Sequence, residues 1–109
     1  FTFASERKTN GVVERVPVLI VRSPGMLQDD GQDRRYPAVI VLHGTGGNKE
    51  AVRPWLDEFA KRGVIGVAID ARYHGDRVPG AKGSAAYVEA VTTAWRTPAG
   101  TPHEHPFFY

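Results

Sequence analysis

Two short apolar runs, joined by a glycine-rich turn and one helical stretch, constrain this chain most. The first is Ala38-Val-Ile-Val-Leu42 and the second Val64-Ile-Gly-Val-Ala-Ile69. Neither alternates with polar residues, so each reads as a strand buried on both faces, as in a parallel sheet. Between them, Asn48 is placed to cap a helix and Pro54 suits its first position. A loose turn over 49–53 and a helix over 54–62 follow from that. Val52, Trp55, Leu56 and Phe59 fall on one face at helical spacing. Lys61 and Arg62 suit the negative end of the helix dipole, and Gly63 is the expected stop. Strand, helix, strand at this length predicts a βαβ unit with parallel strands and a right-handed crossover.

The flanks are simpler. Residues 1–7 and 14–22 read as two strands, and Asn10-Gly11 between them is a hairpin signal. Pro17 has no N–H to donate, so it belongs at an edge or near a strand end. Residues 23–35 form a polar loop. Residues 84–95 have helical character, with Ala85, Val88, Val91 and Trp95 near one face, and 98–106 reads as loop. The fold class is therefore α/β: N-terminal antiparallel strands, then a βαβ unit of a mostly parallel sheet.

At 109 residues, with 41% apolar and 24% charged residues, the composition is that of one ordinary globular domain or part of one. Fourteen basic residues against twelve acidic ones leave a net charge of +2, and the basic residues are dispersed. That is no footprint for nucleic acid. The absence of cysteine excludes disulfides, thiolate metal sites and cysteine nucleophiles. No apolar run approaches the roughly 18 residues a membrane helix needs, and the N-terminus has no secretory signal pattern. A cytoplasmic location is the default expectation. The chain starts at Phe1 and ends on Phe107-Phe108-Tyr109, which reads as two cuts through a longer protein.

The turn itself, His43-Gly44-Thr45-Gly46-Gly47, carries the chemistry. A glycine turn between strand and helix aims backbone N–H groups at one point, where they can hold a phosphate or an oxyanion. The phosphate reading fails on detail. Glu50 follows Lys49 where a phosphate-binding loop needs Ser or Thr, and Lys49 stands where a dinucleotide loop needs its third glycine. The oxyanion reading fits, with the backbone N–H of Thr45, joined by that of Gly46, as donor, and the small glycines allowing close approach. A purely structural tight turn fits these residues equally well.

His43 and His74 read as loop-stabilising residues and Asp70 as a cap for the turn after it. His103-Glu104-His105 lacks metal-site spacing. Of Ser5, Ser23 and Ser84, none has the flanking glycines of a nucleophile elbow.

With the turn, the βαβ unit and Asp70-Ala-Arg-Tyr-His-Gly-Asp76 together, the chain resembles the N-terminal part of an α/β-hydrolase. It is most similar to the dienelactone-hydrolase, acetyl-xylan-esterase and prolyl-oligopeptidase-like branches, which carry a His-Gly-x-Gly-Gly turn followed by an Asp-x-Arg-x-His-Gly motif. The resemblance implies a single incomplete domain over residues 1–109, whose partner is the remainder of the hydrolase domain. It implies a serine hydrolase acting on small carboxylic esters, with Gly44, Thr45 and Gly46 as the backbone oxyanion turn. Nucleophile, acid and base would lie beyond this chain, which alone is expected to be inactive. No cofactor, metal, nucleic acid or membrane partner is implied. A peptidase on the same fold, or a binding protein that keeps the fold without the triad, remains an alternative. The family's third strand lies between its fourth and fifth. Without a fifth, residues 38–42 should present an open apolar edge, and the chain alone should be poorly soluble or molten.

Overall fold

The computed structural model of the chain describes residues 1–7, 10–27, 31, 33–80, 83 and 85–101. Four strands form one mixed sheet: β1 (Thr2–Arg7), β2 (Val13–Val21), β3 (Ala38–Leu42) and β4 (Ile65–Ile69), in the order β1-β2-β4-β3. Helix α1 (Arg53–Lys61) connects β3 to β4, and α2 (Ala85–Arg96) follows β4. This is an α/β arrangement in the broad sense.

β1 and β2 pair antiparallel, β2 and β4 pair antiparallel, and β3 runs parallel to β4 with Leu42 opposite Ile69. Parallel pairing forces the intervening chain to cross over, and α1 supplies the crossing. Asn48 accepts the Ala51 N–H through its side chain at 3.0 Å and opens a short 3-10 turn over Lys49–Val52. At the other end Gly63, at φ +79°, donates to Ala60 O, and Val64 N–H reaches Phe59 O. That pair of bonds is the glycine-terminated helix stop its sequence predicts.

Pro17 lies within β2, an interior strand rather than an edge. Its missing N–H does no harm, because pairing with β4 begins only at Val18, opposite Ile69.

α1 lies against β4, β2 and β3. Leu56 is fully buried over Gly66, and Ala60 and Ala68 complete the contact. Trp55, expected on this face, is largely exposed; the buried stripe runs through Leu56 and Ala60, with Val52 and Phe59 half-buried. α2 is rotated from its expected face in the same way. Val88 and Trp95 face solvent, while Ala86 and Val91 are buried and Tyr87 packs its ring on His74.

The largest departure concerns β3. Its apolar run predicts burial on both faces, yet Ile40 and Leu42 are each 67% exposed. α1 covers one face of the sheet. The opposite face, with Ile40 beside Val67 and Ile20 beside Val67 from the other side, carries no helix among the described residues. β3 is also the edge strand, as expected for a sheet lacking a fifth strand.

Candidate functional site

Because β3 and β4 are parallel and in register, the chain leaves both strands at the same end of the sheet. Residues 43–48 and 70–77 therefore become neighbouring loops. In parallel sheets this end is where ligands are bound.

The first loop contains a tight turn. Gly47 N–H donates to Gly44 O at 2.9 Å, and Gly46 sits at φ +82°. A positive φ at the third residue, with Thr45 at negative φ, makes this a type II turn, in which glycine is required at position 46. Among the described residues, the N–H groups of Gly44 and Thr45 meet no protein acceptor. Gly46 differs: its N–H, expected as a second donor toward an oxyanion, donates instead to His74 Nε2 at 3.0 Å. The peptide flip that a type II turn imposes sends that N–H to the second loop. Of the three turn residues, Thr45 and Gly44 keep free amides.

The histidines hold these loops, as their positions suggest. His43 Nε2 accepts Ala71 N–H at 3.1 Å, and its Nδ1 faces Gly44 O at 2.8 Å. His74 is buried, its Nδ1 2.9 Å from Arg72 O.

Asp70, the residue after β4, is 0% exposed. A bare carboxylate there would be very costly, and three donors compensate it. Oδ1 accepts Lys49 N–H at 2.7 Å; Oδ2 accepts Lys49 Nζ at 2.9 Å and Asp76 N–H at 3.0 Å. The capping role read from sequence is borne out by the Asp76 bond, and Asp70 also ties down the first loop. Lys49 Nζ reaches Asp76 Oδ2 at 2.6 Å as well. Behind this cluster, Glu14 of β2 receives both Arg72, at 3.0 Å, and Arg77, which also donates to Asp70 O.

Gly75 is left-handed at φ +51° and lies so close to Asp70 that a Cβ would land on the carboxylate. Tyr73 is left-handed too, at φ 63°, which for a bulky residue is strained backbone.

Lys49, Asp76, Glu14, Arg72 and Arg77 were not singled out as site residues in the sequence. The Asp70–Asp76 motif contains two of them, Arg72 and Asp76, but Glu14 sits between Val13 and Arg15 with no local signal of burial.

Burial is the largest single influence on Asp70 and would raise its pKa. The Lys49 ammonium and the two backbone N–H groups outweigh it and hold Asp70 below the ordinary 3.8. Burial likewise works against the Lys49 charge, but Asp76 and Asp70 raise Lys49 from 10.5 to about 12. The signs are opposite. The ionised Asp70 contributes stability above 3.8, lost as pH falls from there through the lower folded value. Lys49 contributes below 10.5, and that contribution is lost as pH rises through about 12. An acid unfolding limb starting below 3.8 is thus expected, and flatter in Asp70→Asn. Circular dichroism against pH measures it; equal acid limbs in the two proteins would contradict the assignment.

Ser5 lies on β1, the opposite edge strand from β3, and Ser23 follows the end of β2 that points away from the two loops. Ser84 and His103-Glu104-His105 lie outside the described residues. Among the described residues no three His, Asp or Glu side chains converge as metal ligands, and no helix is long and apolar enough to cross a membrane. No family model, curated protein or solved structure matches the chain.

Proposed function

We propose that this chain is the N-terminal part of an α/β-hydrolase that cleaves carboxylic esters through a serine nucleophile, with Thr45 N–H supplying half of the oxyanion site. The observation that carries the reading is the unpartnered Thr45 amide at the outlet of two parallel strands, on a turn anchored from the second loop by His74. Donors preset at the site of developing charge stabilise a transition state without reorganising, which is where enzymes gain most. The strand order β1-β2-β4-β3, with β3 at the edge, supports the same reading. Nucleophile, acid and base are assigned to sequence beyond residue 109, with a G-x-S-x-G elbow several tens of residues on.

The turn type supplies a clean test. Thr45 occupies the second position of a type II turn, where proline is favoured. Thr45→Pro removes the N–H and keeps the turn. In the protein of the complete reading frame, kcat on p-nitrophenyl esters is expected to fall about 10²–10³-fold with KM little changed. A fluorophosphonate probe should label the unsubstituted protein. Absence of labelling, or an unchanged kcat in Thr45→Pro, overturns the proposal. Turnover of aminoacyl anilides in preference to esters would move it to a peptidase.

A further inference from the structure

The two loops are joined by hydrogen bonds that mirror each other. His43, on the first loop, accepts Ala71 N–H of the second at 3.1 Å; His74, on the second, accepts Gly46 N–H of the first at 3.0 Å. Each ring is oriented by its other nitrogen, against Gly44 O at 2.8 Å and Arg72 O at 2.9 Å. A carbonyl only accepts, so Nδ1 carries the hydrogen in both rings. A backbone N–H only donates, so Nε2 carries none. Both rings must therefore be neutral and in the Nδ1–H form. Their centroids are 5.1 Å apart.

We propose that His43 and His74 are positioning residues forming a reciprocal clasp that presets the turn bearing Thr45 N–H, and that acid opens this clasp. The role of the turn rests on the esterase reading; the clasp does not. A proton taken up at Nε2 of His74 would point straight at Gly46 N–H, donor against donor, and the turn would have to move. The same holds for His43 and Ala71. Two imidazolium rings at this separation would also repel.

The charged groups around the rings do not offset this. On the first loop and the 3-10 turn, Lys49 is paired with Asp70 and Asp76 and lies 3.7 Å from Glu50. On the second loop, Arg72 and Arg77 are paired with Glu14 of β2. From α2, Tyr87 presents its ring to His74 at 4.6 Å, and Glu89 lies two residues further along. Four of these five carboxylates are thus within reach of lysine or arginine, and the fifth, Glu89, belongs to α2.

Ring nitrogen-15 NMR on the protein of the complete reading frame tests the proposal, with His43→Gln and His74→Gln assigning the signals. At pH 8 both rings should show the Nδ1–H tautomer. The pH is then lowered from 8 to 5. Over that interval the Gly46 and Ala71 amides should lose about tenfold protection from hydrogen exchange, beyond the intrinsic pH effect. The β4 amide of Val67 should not. In the double glutamine variant Oε1 accepts the same N–H groups but has no proton to gain, so protection at pH 5 should persist. An Nε2–H tautomer in either wild-type ring, or protection unaffected by acid, overturns the clasp. So does equal loss in the double variant. The wild-type measurements suffice if that variant does not fold. None of these readouts needs catalysis, so a failed clasp leaves fluorophosphonate labelling untouched, and a protein that fails to label can still show the clasp.

Discussion

Asp70→Ala is expected to destabilise the protein of the complete reading frame by about 3–5 kcal/mol, the cost of removing one partner from a buried ion pair. The carboxylate is fully buried and holds three donors from two loops. Removing it leaves Lys49, itself buried, with Asp76 as its principal counter-charge. Asp70→Asn should rescue little, because the amide can satisfy Lys49 N–H but then turns an NH₂ group toward Lys49 Nζ and Asp76 N–H. Asp76→Ala makes the informative contrast. It removes the shorter of the two contacts to Lys49, at 2.6 Å against 2.9 Å, but its side chain is 72% exposed. Exposed pairs contribute about 0–1 kcal/mol, so it should cost far less. Urea unfolding measures all three. If Asp76→Ala proved as damaging as Asp70→Ala, burial would not be what makes this cluster matter.

The second large effect is expected at Gly66. A Cβ there would lie 2.8 Å from Leu56 Cβ and 3.0 Å from Leu56 Cα, so helix and strand touch through backbone as well as side chain. Overpacking of this kind costs about 1–3 kcal/mol, and Gly66→Val should reach the top of that range. Trimming the partner should not restore stability. Leu56→Ala removes the Cδ2 contact at 3.1 Å but keeps Cβ and Cα in place, and it opens a cavity of its own. A double variant more stable than Gly66→Val would show that the leucine side chain, rather than the helix backbone, sets the approach.

The candidate site was legible only in part. The turn at 44–47, the loop-holding roles of His43 and His74, and the cap at Asp70 all follow from short-range chemistry. Glycine is needed where φ is positive, and a side chain beside a turn bonds that turn's backbone. What escaped was the assignment of partners. Gly46 looks as free as Thr45 in sequence, but its N–H goes to a histidine 28 residues away. Lys49 reads as a failed phosphate-binding lysine, and only the folded chain shows it buried between Asp70 and Asp76.

Strand, turn and helix identity were determined by sequence alone, because each depends on side-chain period or turn stereochemistry within a few residues. The helix over 53–61, its glycine stop, and the parallel pair on either side of it are of this kind. Which helix residues are buried, which face of the sheet is covered, and which charges meet were decided by the tertiary structure. Trp55 and Leu56 are equally apolar in a linear reading, yet only Leu56 lies over Gly66. Glu14 meets Arg72 and Arg77 across 58 and 63 residues. Such contacts arise only when strand order places the end of β4 beside β2, and no local rule for propensity or spacing contains that order.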